Sequence, residues 1–145
     1  TQRPYILIAD RGSLVGVITP EGRALSKPKG AGFVARIWLE NDSEKTSQSS
    51  AHSHWAIQRP PLVFHHWSKR NSPRKINCKS NEIHVSIVPQ EIIGDCVIYR
   101  EKDLERTGAI AIWRGQNGEI KKIEVTLSRQ KTRLWSPPRW KRINR

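Results

Sequence analysis

The longest uninterrupted apolar runs in this chain, residues 5–9 and 109–113, are five residues each. Runs that short build brief strands, and they fall far below the ~18 apolar residues of a membrane-crossing helix. Turn chemistry separates them. Asp10, Gly12 and Ser13 divide the run at 5–9 from a second at 14–18, predicting a β-hairpin. Pro20 and Gly22 mark another turn, after which Ala24 and Leu25 begin a third short strand. Phe33, Val34, Ile37 and Trp38 recur at helical spacing, which predicts an amphipathic helix over 33–39, closed by Asn41 and Asp42.

Residues 40–53 are polar and Ser-rich, and 60–73 crowd His, Trp, Arg and Pro without a period of 2.0 or 3.6. Both stretches read as irregular. Alternation returns at 82–88, a half-buried strand that Pro89 ends, followed by a strand at 96–99. Residues 100–106 form a charged helical turn broken by Gly108, and the run at 109–113, apolar on both faces, reads as a central strand. Asn117-Gly118 signals a hairpin into a last strand carrying Ile123, Val125 and Leu127. Strands outnumber helices, so the expected class is α/β in the loose, α+β sense. The organisation reads as a hairpin plus helix (1–39), a polar linker (40–77), a small β-rich unit (78–128) and a basic tail (129–145).

The net charge is +13, from 26 Lys and Arg against 13 Asp and Glu. A field of that sign and size attracts polyanions, nucleic acid or an anionic membrane surface. Residues 129–145 hold seven bases and no acid. Arg129, Lys131, Arg133, Arg139, Lys141, Arg142 and Arg145 could each neutralise a phosphate, with Trp135 and Trp140 as stacking faces for unpaired bases. The plain alternatives are a solvated basic tail and a Trp135 that packs the chain end.

Enzymatic signatures are weak. His52-Ser53-His54 begins like a His-x-His-x-Asp-His metal motif, but Ala56 and Ile57 stand where Asp and His are required. His65 and His66 are adjacent, and adjacent strand residues point to opposite faces, so they would not chelate one ion. Glu101, Asp103 and Glu105 lie among bases as a solvated turn, and Gly30 and Gly32 lack the rest of a phosphate loop. No catalytic residue, metal ligand set, cofactor or small-molecule substrate is expected. Cys78 and Cys96, 18 positions apart, fit either two part-buried thiols, the default, or one disulfide in an oxidising compartment.

The C-terminal half resembles a known family. Cys78, a strand ending in Val88-Pro89, Cys96, the run Asp103-Leu104-Glu105-Arg106-Thr107-Gly108-Ala109-Ile110-Ala111-Ile112-Trp113, and Arg133-Leu134-Trp135-Ser136-Pro137 follow one another as in the C-terminal soluble region of alphaproteobacterial ComEC-type competence proteins. Residues 6–10, Gly12-Ser13-Leu14-Val15, Phe33 and Trp38-Leu39 are similar to the hairpin and helix that precede it there. The resemblance covers 5–39 and 78–137, with 103–113 its most specific part, and residues 44–77 depart from the pattern.

The resemblance implies a polytopic inner-membrane channel that admits single-stranded DNA during transformation, with this segment as a soluble C-terminal piece. It implies a degenerate metallo-β-lactamase-like fold lacking the full metal set, hence a non-catalytic role. The expected partners are single-stranded DNA and the remainder of the channel protein. A sequence that opens without Met agrees with a piece of a longer protein. The alternatives are a stand-alone basic nucleic-acid-binding module and, less favoured, a metal-dependent hydrolase using His52 and His54.

Overall fold

In a computed structural model, which describes residues 3–58, 63–115 and 120–126, the N-terminal strand is the middle of the larger sheet. That strand, β1 (Ile6–Ile8), pairs antiparallel with β2 (Val15–Thr19) on one side, and β2 pairs with β3 (Gly22–Leu25). Its other edge is taken by a strand from the far end of the chain, β9 (Ile110–Arg114), itself paired with β10 (Ile120–Val125). The expected first hairpin and the expected interior position of 109–113 are both present in this antiparallel sheet.

A second sheet is parallel. Its strands are β4 (Val63–Trp67), β6 (Glu82–Ser86) and β8 (Val97–Arg100), with His65 opposite His84 and Val85 opposite Tyr99. Between them the chain lays down β5 (Lys75–Asn77) and β7 (Glu91–Ile93), which pair parallel with each other. The chain thus coils, adding a strand to each of two parallel sheets in turn. The stretch 40–77, expected to be an irregular linker, therefore carries ordered elements: α2 (Gln48–His52), a 3-10 turn at Trp55–Ile57, β4 and β5. Its short strands pair with partners 16 residues away for β5 and 19 for β4, so no local period announces them.

The two larger sheets meet through alternate residues. Ile6 and Ile8, Val15 and Val17, and Ile110 and Ile112 share one apolar cluster with Phe64, Ile83, Val85, Val97 and Tyr99. The period of two puts one face of each strand into this seam. α3 (Glu101–Thr107) closes an end of it with Leu104, which is fully buried. Its N-terminus is held by the Asp103 carboxylate, which accepts the Arg100 N–H at 2.9 Å. Gly12, at φ +74°, faces α3 and β6 so closely that a Cβ there would lie 2.7 Å from Ile87 Cγ2 and 3.0 Å from Leu104 Cδ1.

On the other face of the antiparallel sheet lies α1 (Gly32–Asn41). The stripe expected to face inward was 33, 34, 37 and 38. In the structure Ala35 and Leu39 are buried, Val34 and Trp38 pack beside them, and Phe33 is 67% exposed. The rotation follows from two fixed points. The Trp38 ring rests on β2 at Gly16, where a Cβ would come within 3.1 Å of it, and Asp42, just past the helix, must reach Arg23.

Arg23 is completely buried on β3. Its Nε donates to Asp42 Oδ2 at 2.6 Å and its Nη2 to Asp42 Oδ1 at 3.1 Å, while Nη1 donates to the Tyr5 carbonyl at 3.3 Å. A guanidinium taken out of water is tolerated only with its donors matched in this way. Asp42→Ala leaves that charge unpaired and is expected to cost about 3–5 kcal/mol. Joint replacement by Arg23→Met and Asp42→Leu is expected to recover most of it; urea unfolding midpoints of the three chains check this.

Candidate functional site

The parallel register of β4 and β6 assembles a close group of titratable side chains. Period two sends His65 and Trp67 to one face of β4, the face shared by Glu82 and His84 on β6, whereas His66 points the other way, into the molecule. His65 Nε2 lies 3.3 Å from Glu82 Oε2, and His84 Nε2 lies 3.1 Å from Glu82 Oε1. Trp67 Nε1 donates to His84 Nδ1 at 2.9 Å. The His65 and His84 rings stack with centroids 4.7 Å apart, and His65 stacks on Trp67 at 5.8 Å.

Burial raises the Glu82 carboxyl, but donors outweigh it: the Lys79 backbone N–H, the His84 ring and the nearby His65 together hold its pKa below the ordinary value. Burial also lowers His84, against the pull of Glu82. At 1% exposure, His84 is almost wholly removed from water.

Among the described residues, His65, Glu82 and His84 form the one group of three side chains with ligand atoms close enough for a metal ion, all within 4.8 Å. Two imidazoles and a carboxylate are a zinc-type donor set. The hydrogen bonds oppose it. An indole N–H can only donate, so His84 Nδ1 must present its lone pair to Trp67 and the ring proton sits on Nε2. A metal at Nε2 would have to displace that proton, and moving it to Nδ1 sets two donors against each other. The group as folded is a Trp–His–Glu hydrogen-bonded chain and does not fit a metal.

The histidines singled out in the sequence are elsewhere and occupied differently. His52 Nδ1 lies 2.9 Å from the Leu25 carbonyl, tying α2 to β3, and His54 Nδ1 is buried without a described partner. Neither belongs to a group of three possible ligands among the described residues. His66 joins the two sheets: Nε2 donates to the Gly12 carbonyl at 2.7 Å, and Nδ1 accepts from Ser26 Oγ at 2.6 Å. Burial pushes its pKa down to about 4, with the Gly12 carbonyl working against that and Lys27 adding to it.

Cys78 and Cys96 form a disulfide, with Cα atoms 5.8 Å apart. This corrects the default expectation of two thiols. The pairing was hidden because β5 and β8 lie in different sheets, and only their coiling brings residues 78 and 96 together. The tail residues Arg129, Lys131, Arg133, Trp135, Arg139, Trp140, Lys141 and Arg142 lie outside the described residues, as do the Asn117-Gly118 turn and Leu127. The signal for the cluster was present in the sequence as His65-x-Trp67 and Glu82-x-His84, two same-face pairs at period two, but nothing local set them in register. No protein family, curated protein or solved structure matches this chain.

Two outcomes follow from this geometry. Replacing the indole donor by Trp67→Phe frees Nδ1 to carry the proton and is expected to raise zinc affinity about tenfold or more, the unmodified chain binding little; equilibrium dialysis with metal analysis reads both. His66 sets a pH dependence. The unfolded chain takes up its proton near pH 6.5 and the folded chain only near pH 4, so stability is full above pH 6.5 and falls as pH drops toward 4, by about 3 kcal/mol in total. Urea unfolding between pH 7 and 4 is expected to show the fall, and His66→Gln to flatten it.

Proposed function

We propose that this chain is a non-catalytic extramembrane segment of a ComEC-type DNA-internalisation protein, in which it contacts the phosphates of the entering strand. The observation that carries the reading is the run at 103–113, the most specific part of the resemblance. It spans α3, the break at Gly108 (φ +72°) and β9, which lies against the central strand. A helix on an antiparallel sheet that packs in turn on a second, parallel sheet is the layering that supports a degenerate metallo-β-lactamase-like sandwich. A disulfide suits an oxidising compartment outside the cytoplasm. No helix among the described residues is long and apolar enough to cross a membrane, so the spans of such a channel would belong to other parts of the protein.

A stand-alone basic nucleic-acid-binding module is the second reading, favoured by the net charge of +13 alone. Both readings require polynucleotide affinity that falls with salt, because each neutralised phosphate of a single strand contributes a slope of roughly −0.7 in log K against log salt. Fluorescence anisotropy with a labelled single strand is expected to show binding at low salt that weakens steeply by about 0.2 M. Affinity indifferent to salt, or no binding, overturns both. The genomic neighbourhood separates them: coding sequence for several apolar spans joined to this segment supports the channel, and an independent reading frame supports the module.

A further inference from the structure

A second feature of the charge is its placement within the described residues. Between positions 69 and 79 stand Lys69, Arg70, Arg74, Lys75 and Lys79, all exposed, with no acid among them. None of the five takes part in an ion pair among the described residues. Uncompensated cations on an unbraced loop would be an ordinary solvated surface. This segment is braced.

Ser72 N–H donates to the Lys69 carbonyl at 3.0 Å, folding the loop after β4 on itself. Gln90 Nε2 donates to the Pro73 carbonyl at 2.8 Å and Glu91 N–H to the Arg74 carbonyl at 2.7 Å, so the loop after β6 grips it. β5 then runs beside β7, Cys78 N–H donates to the Ile93 carbonyl at 2.8 Å, and the Cys78–Cys96 disulfide fastens the end. Gly94, at φ +117°, has no room for a side chain because a Cβ would meet the Cys78 carbonyl. Fixing the backbone that carries the cations in advance removes ordering entropy that a loose loop would lose on binding.

The same two loops enclose a cleft of about 540 Å³, with Arg70, Ser72 and Arg74 on one side and Val88, Pro89 and Gln90 on the other. Among the described residues, Glu91 is the single carboxylate lining it. The loops leave the carboxyl ends of two neighbouring parallel strands, the position from which parallel sheets commonly present ligand clefts. Immediately before the loop, the stacked rings of His65 and Trp67 are only partly buried. Cations beside partly open flat rings are what an unpaired nucleotide chain uses: phosphates on the bases, nucleobases on the rings. An anionic lipid surface would instead need apolar side chains among the cations, and of the exposed large apolar residues among those described, Phe33 and Ile93, only Ile93 lies beside this ribbon.

We propose that the disulfide-braced ribbon at 69–79 is a phosphate-contacting face for a single-stranded polynucleotide, with Arg70 and Arg74 at the cleft as its principal contacts. The proposal deepens the function argued above and rests on its nucleic-acid reading, but assigns the contact to residues apart from 129–145.

The test compares the full oxidised chain with R70Q/R74Q, with K102Q/R106Q on α3 as a charge-matched control and R139Q/K141Q in the tail. Binding of a labelled oligothymidylate is followed across salt. The expected result for R70Q/R74Q is about a tenfold loss at low salt and a salt slope shallower by roughly 1.4, two phosphate contacts. The control is expected to move much less. If R70Q/R74Q matches the control while the parent chain binds, this site is wrong and the function stands; a loss confined to R139Q/K141Q likewise overturns the site and places the contact in the tail. If the parent chain binds no oligonucleotide, both fall. A loss on R70Q/R74Q seen only with phosphatidylserine-containing vesicles, and not with oligothymidylate, overturns the proposal in favour of a lipid contact.

Discussion

Everything in this molecule is hung on the apolar seam between the two larger sheets. β1 contributes only Ile6 and Ile8 to it from three residues, too little to persist alone, yet it pairs on both edges and is covered on the seam face. Removing that apolar area from water is the favourable term, and ladder bonds on both sides of β1 keep its backbone groups satisfied while it is buried. Because β9 supplies one of those edges, the N-terminal hairpin and the residues after α3 form a single layer. The parallel coil of β4 to β8 is then docked as a unit against that layer.

The seam also settles what the histidines can do. Adjacent positions on β4 have opposite destinies: His66 enters the interior and is matched at both nitrogens, while His65 joins the outward stack. Matching by Gly12 and Ser26 makes His66 a neutral strut between layers. On the opposite face of β4 from His66, Trp67 fixes the tautomer of the buried His84, and that in turn aims a proton at Glu82. A donor set with the composition of a metal site is thereby committed to hydrogen bonding. Ligand composition and proximity count for little when a neighbouring group dictates where the proton sits.

Electrostatics divides along the same lines. The one fully buried cation among the described residues, Arg23, is neutralised by Asp42 and serves to lock α1 onto β3. The cations of the 69–79 ribbon are exposed and form no ion pair among the described residues, which leaves their field available at long range to a polyanion. Residues of identical chemistry thus hold the fold together or face outward according to whether a carboxylate shares their desolvated site.

Strands with local alternation or continuous apolar character, at 6–8, 15–19, 82–86, 97–100 and 110–114, were legible from residue order, as was the helix around Trp38 and the break at Gly108. The mixed α+β class followed from them. β4, β5 and β7 were not legible, because short polar strands owe their existence to partners distant in sequence. Nor was the direction of pairing, which put β4 and β5 into a parallel coil and brought Cys78 to Cys96. The rotation of α1 was decided by Gly16 and Arg23 on other elements, which no helical period encodes. Residue order by itself determined where the chain could turn, which runs sought burial and how much positive charge the molecule carries. Tertiary structure alone decided which histidines touch, which cations are neutralised and which loop is braced, since those depend on contacts between segments whose separation in sequence carries no information about their separation in space.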